Sequence, residues 1–202
     1  MRNRVLRRGV SGLLAATFAL AASASIAAPA ASITPAPSNQ LVPAQSEIRF
    51  TAKQMGVPMQ GVFKKMDGQV IWNAAQPEQS RIRLVVSVAS ATLGAPEMDD
   101  ELPKAAWFDA ARFPQAVFEA QRIQSLGAGK FAVSGTLSIK GVSLPVQTQA
   151  LFTPTPDGQA SIATGQLEIQ RLAYQIGAGA WGDSSVVANP VTITYRIRIN
   201  KH

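Results

Sequence analysis

Strict two-residue alternation in the last segment of the chain limits its fold most. In Val191-Thr-Ile-Thr-Tyr-Arg-Ile-Arg-Ile199 the odd positions are apolar and the even positions carry Thr or Arg. Side chains on a strand point alternately to opposite faces, so this segment has one face for water and one against it. The same period runs through Ile82-Arg-Leu-Val-Val-Ser-Val88 and Phe131-Ala-Val-Ser-Gly-Thr-Leu-Ser-Ile139. Strands of this kind build an antiparallel sheet that must hide one face, and closing the sheet on itself does so within one domain.

Strand candidates follow one another from Ser46 at about 47–53, 59–65, 68–73, 80–89, 116–125, 129–140, 143–153, 159–170 and 190–200. Met66-Asp-Gly68, Gln76-Pro-Glu78, Leu126-Gly-Ala-Gly129, Lys140-Gly141 and Thr155-Pro-Asp-Gly158 supply turn chemistry between them. Two segments lack alternation. Pro96–Asp109 opens with acids suited to a helix N-terminus and predicts one or two short helical turns, placed to plug one end of a barrel. Gly177–Ser185 predicts a mobile glycine-rich loop at a mouth.

The N-terminus reads as a segment apart. Four arginines within Met1–Arg8 precede the apolar run Leu13–Ala22, too short to span a bilayer, and small residues crowd Ser23–Ala31. This is the pattern of a secretory signal peptide over 1–27, which places the protein in the periplasm, followed by a flexible leader over 28–45 and a single domain over 46–202; a retained membrane anchor is the competing reading. The surroundings of Arg7-Arg8 fit general secretion better than twin-arginine export. Without those four arginines, fifteen Lys and Arg stand against twelve Asp and Glu, so the domain is only mildly basic. No basic cluster interleaves with aromatics, which argues against nucleic-acid binding.

Chemistry is sparse. There is no cysteine, and the single histidine is the terminal His202. Serine or cysteine triads and zinc or transition-metal sites built on imidazole or thiolate therefore have no residues to use, and no metal or cofactor is expected. Asp99, Asp100, Glu101 and Asp109 are the remaining route to an enzyme; helix capping is the plainer reading, since no Asp/Gly calcium loop surrounds them. Gly135–Gly141 lacks the ending of a phosphate loop. Trp107 with Phe108, and Trp181 among its glycines, suit either packing or stacking on a ligand.

Leu102-Pro-Lys-Ala-Ala-Trp-Phe-Asp-Ala-Ala-Arg-Phe-Pro-Gln-Ala-Val-Phe118 resembles the signature block of the YceI-like family, and Gly135–Val146 resembles its second block. Ser46–Phe50, Gly61–Phe63 with Asp67-Gly68, Arg171–Gly177 and Trp181-Gly-Asp183 are similar to its opening and closing segments. The resemblance implies an all-β, eight-stranded antiparallel lipocalin-like barrel with a short helical cap, exported, and holding an isoprenoid chain inside. It also implies a separate membrane cytochrome as a partner. One departure is Met98-Asp-Asp-Glu-Leu102, where many members carry Arg-Asp-x-His-Leu, so a head-group role there is in doubt.

The residues fit such a lipid site independently. The inward face offers Ile82, Leu84, Val86, Val88, Phe131, Val133, Leu137, Ile139, Ile193 and Tyr195, with Trp107, Phe108 and Trp181 at the ends. The expectation is a non-catalytic carrier of an isoprenoid or related lipid, including a quinone. A solidly packed, stress-related partner-binding barrel is the alternative, and a carboxylate enzyme a distant third.

Overall fold

The computed structural model describes residues 40–201. The signal peptide and most of the leader expected before Gln40 lie outside the described residues, as does His202. Eleven strands belong to one antiparallel sheet: β1 (Gln40–Leu41), β2 (Glu47–Gln54), β3 (Val57–Phe63), β4 (Met66–Ile71), β5 (Arg81–Ser87), β6 (Ala91–Thr92), β7 (Gln115–Gly127), β8 (Lys130–Ile139), β9 (Val142–Pro154), β10 (Ala160–Gln170) and β11 (Pro190–Asn200). β1 pairs with the end of β11, so ordered pairing starts at Gln40, ahead of the expected boundary at residue 46.

The strand count rises above the expected eight because two strands are kinked. β3 pairs with β2 and β6, while β4 pairs with β5. Only Lys64 and Lys65 separate β3 from β4, and one 3-10 turn (Val88–Ser90) separates β5 from β6. Hydrogen bonds from Lys64 N to Ser90 O (3.1 Å) and from Ser87 N to Lys65 O (3.0 Å) cross this break. Counting each kinked pair once leaves eight long strands. Their pairing runs β2, β3–β4, β5–β6, β7, β8, β9, β10, β11 and back to β2. The sheet closes on itself through the two kinked strands.

The turn expected at Met66-Asp-Gly68 is not one. Those residues pair with Val86, Val85 and Leu84 inside the ladder. Gly68 is needed for close approach: a Cβ there would lie 2.4 Å from the carbonyl oxygen of Arg83. The hairpins at Gly127–Gly129, Lys140-Gly141 and Thr155–Gly158 form where the turn chemistry places them. In β8 every second residue, from Phe131 to Ile139, is buried, which is the alternation of the sequence expressed in space.

One end of the barrel is capped by residues 88–114, the Lys140-Gly141 turn and residues 171–189. The other carries the β4–β5 loop, the β7–β8 and β9–β10 turns and the end of β11. The cap carries the short helical turn expected of it: the α-helix covers Pro96–Asp99 and turns follow to residue 112. Pro103 has no N–H to continue a helix, and Asp109 adopts a positive φ of 50°. Leu102 and Phe108 nevertheless tuck under the cap with Phe50, Ile139, Ile169, Tyr174 and Ile176. A second buried cluster, including Ile48, Val133, Ala150, Phe152 and Ile197, occupies the middle and the far end.

If Gly68 exists to let β4 approach β5, Gly68→Ala should lower stability by about 1–3 kcal/mol, as overpacking against backbone does. Urea unfolding should show a lower midpoint with an unchanged slope.

Candidate functional site

Inside the barrel lies a cavity of about 140 Å³. It runs from Phe108 beneath the cap to Phe152 and Ile199 towards the other end. The void exists because several inward positions carry small side chains: Ala116, Ala150 and Ala163 all line it, and Gly165 sits beside it under Tyr195. A Cβ on Gly165 would fall 2.2 Å from the Tyr195 hydroxyl. Ala150 faces Gly165 directly across β9 and β10, and Ala163 faces Phe152.

Two polar side chains reach the wall, and they occupy each other. Thr148 Oγ1 donates to the carbonyl of Gln166 (2.8 Å) and lies 3.1 Å from the Tyr195 hydroxyl. With the threonine proton committed to Gln166, the tyrosine is the donor in this pair. Burial pushes the Tyr195 pKa up while the Thr148 bond pulls the other way, so the phenol stays neutral near neutral pH. The rest of the lining is hydrocarbon. Such a wall can hold an apolar group by removing it from water, at about 25 cal/mol per Å² of apolar surface, and apolar voids of about 150 Å³ stay dry and accept benzene-sized guests.

Among the residues expected on this site, Ile82, Leu84, Val86, Phe108, Val133, Leu137, Ile139, Ile193 and Tyr195 line the cavity. Four do not. Val88 is buried, but in the 3-10 turn that interrupts the strand, among the cap residues. Phe131 packs edge-on to Trp72 at the far end. Trp107 and Trp181 contact each other at a tilt of 45°, ring centroids 5.5 Å apart, with Tyr174 and Ile176 in the core beneath. Ile48, Phe63, Val70, Phe118, Leu167 and Ile197 also line the cavity and were missed, although alternation in their segments marks the inward positions. The inward alanines carry no such signal.

The loop expected to be a mobile mouth is pinned. Arg171 is 2% exposed, and its guanidinium donates to five carbonyls: Ala188 (3.1 Å), Ile176 (2.9 Å), Gly177 (2.6 Å), Trp181 (2.7 Å) and Val187 (2.7 Å). Lys140 Nζ adds bonds to Ala105 (2.8 Å), Ala106 (3.3 Å) and Gln175 (2.8 Å), tying the cap to this loop. Burial lowers the Lys140 pKa, Asp109 opposes that shift and Arg112 adds to it.

The acids serve the cap locally. Asp99 accepts from Thr92 Oγ1 (2.5 Å) and Leu93 N (2.6 Å), and these bonds hold its carboxyl below the ordinary range. Glu101 pairs with Lys104, and Asp109 with Arg112 at 3.4 Å. Neither they nor Asp100 line the cavity. Among the described residues no three acidic or histidine side chains gather as a metal site would require.

The model of the YceI-like domain matches residues 40–199, nearly the whole barrel. The chain belongs to the YceI-like family. Its fold is similar to the crystal structure of BcnA from Burkholderia cenocepacia, with a TM-score of 0.76 and 34% identity over 79% of this chain and 99% of that one. It is also similar in fold to a polyisoprenoid binding domain from Saccharophagus degradans, TM-score 0.65 and 18% identity over 83% of this chain and 99% of that domain. A UPF0312 protein of Azotobacter vinelandii is 31% identical over 106 residues, covering 52% of this chain and 55% of that protein. The chain thus spans about half the length of that curated relative.

Arg171→Lys removes the planar fork and leaves buried carbonyls without donors, at about 1–3 kcal/mol each. The variant should unfold at a clearly lower urea concentration, with Trp fluorescence shifting red as the Trp107–Trp181 contact loosens.

Proposed function

We propose that this protein is a non-catalytic carrier whose barrel takes up the hydrocarbon of an isoprenoid or related lipid, a quinone included. The observation that supports this most strongly is the cavity itself: a void in the middle of a closed sheet, walled by apolar side chains, with its two polar groups bonded internally or to each other. A binding site for a charged or catalysed substrate would need an unsatisfied donor, acceptor or nucleophile on that wall. Each buried methylene adds about 0.8 kcal/mol, so a few isoprene units suffice to offset the cost of association. The name of the Saccharophagus domain agrees in ligand class.

The reading places the protein in the periplasm, through the signal sequence at 1–27, with a separate membrane cytochrome as the partner to test. The alternative, a packed barrel that serves only as a partner-binding surface, has no use for inward alanines that leave a void.

Native mass spectrometry of protein taken from a bacterial periplasm should show an added mass in the isoprenoid lipid range. Ala150→Leu with Ala163→Leu fills the void with hydrocarbon, and should cut farnesol affinity by about tenfold or more, the loss of roughly two buried methylenes, while the protein stays folded. A lipid-free mass together with no farnesol uptake would overturn the carrier; unchanged affinity in the filled variant would remove the cavity as its site.

A further inference from the structure

The cavity is short for the chain it is proposed to hold, and the end of the barrel away from the cap offers further space. Three rings stand there. Trp72 follows the last residue of β4 and lies parallel to Phe152, with centroids 3.8 Å apart and planes 8° from each other. Phe131 meets Trp72 edge-on at 4.8 Å and Phe152 at 5.4 Å. Phe152 is part of the cavity wall, and all three rings also line an outer cleft of about 1080 Å³. The cleft is bordered by the start of the β4–β5 loop, the β7–β8 turn and the end of β9. Phe152, in contact with both other rings, is therefore common to the inner void and the outer one.

The border of that cleft mixes polar residues such as Asn73, Thr153 and Lys201 with exposed apolar ones. Ile71 and Leu151, both on its wall, are 41% and 40% exposed. Leu126, 53% exposed, sits between two residues that line it, Ser125 and Gly127. Single exposed apolar side chains are ordinary, whereas two on the wall of one cleft that abuts an apolar cavity, with a third beside it, suit a hydrocarbon occupant. The opposite end is unsuited to passage, because Arg171 and Lys140 tie the cap down over Leu102, Phe108 and Tyr174. Of the three rings, Phe131 and Phe152 are buried within paired strands, while Trp72 is half-buried beyond the last β4–β5 pair, Ile71 with Arg81.

We propose that this cleft is the outer half of the lipid site and that Trp72 is the gate between the halves. A single-chain amphiphile passes its tail by Trp72 into the cavity, and lays its remaining length and polar end along Ile71, Leu126 and Leu151. The proposal rests on the carrier reading above and adds to it a route, a direction of insertion and a ligand longer than the cavity.

The test is stopped-flow uptake of methyl cis-parinarate, a neutral single-chain ester whose fluorescence rises in apolar surroundings, by the purified protein. Trp72→Ala opens the gate and should raise the uptake rate about tenfold or more, as removal of a rate-limiting lid does. Leu151→Arg places a charge on the outer wall and should weaken retention by about threefold or more, through lost apolar contact. Met55→Ser, an exposed change at the cap end, should alter neither. Uptake by the unaltered protein with no change in Trp72→Ala and Leu151→Arg, or with a change in Met55→Ser alone, would overturn the gate while leaving the carrier standing. Should Trp72→Ala not fold, Leu151→Arg decides by itself. No uptake by any of the proteins would instead overturn the carrier reading, and the gate with it.

Discussion

The closed ring of strand pairing forces every inward side chain to find its apolar neighbours across the barrel. No second layer packs on that face, so the inner side chains alone decide whether the space is filled. Large residues such as Phe118, Phe152 and Ile193 reach inward from several strands. Ala116, Ala150 and Ala163 are too short to fill the space between them. The interior is consequently well packed at both ends and open between. A void in a protein core forfeits dispersion contacts and lowers stability, so its retention among otherwise large residues points to use.

The two ends are closed by different means. At the cap, a guanidinium with all five donors on carbonyls and an ammonium with three fasten the backbone of the cap and its loop. Several such bonds share one buried cation, so the region opens only if many are lost together. At the other end the closure is a stack of rings, with Trp72 outside the β4–β5 ladder. Aromatic contacts are modest and re-form in many geometries, which suits a surface that lets a chain pass. The difference gives the barrel a fixed end and an end able to yield.

Much of the fold was legible because alternation is a direct readout of which side of a strand faces water. It placed the long strands, most of the hairpin turns and nine residues of the cavity wall. Errors came where a residue type has two uses. Gly68 looked like a turn and is a point of close approach between strands. Trp181 among glycines looked mobile, yet its carbonyl is bound by Arg171, ten residues away in sequence. The eight strands expected from family resemblance appear as ten segments because two are kinked, with the short β1 as an eleventh, and the kink is held by bonds that no local pattern announces. The void was the least legible feature. It depends on Ala116, Ala150 and Ala163 turning inward from three strands, and an alanine in a strand carries no sign of what lies opposite.

The central claim is a dry, apolar hollow at the middle of the barrel, and xenon tests it without any assumption about the natural ligand. Crystals of lipid-free protein under xenon pressure should show electron density for the gas between Leu84, Val133 and Ile193, as apolar voids of this size do. Ordered water in that place, or side chains closed over it with no xenon bound, would contradict the account.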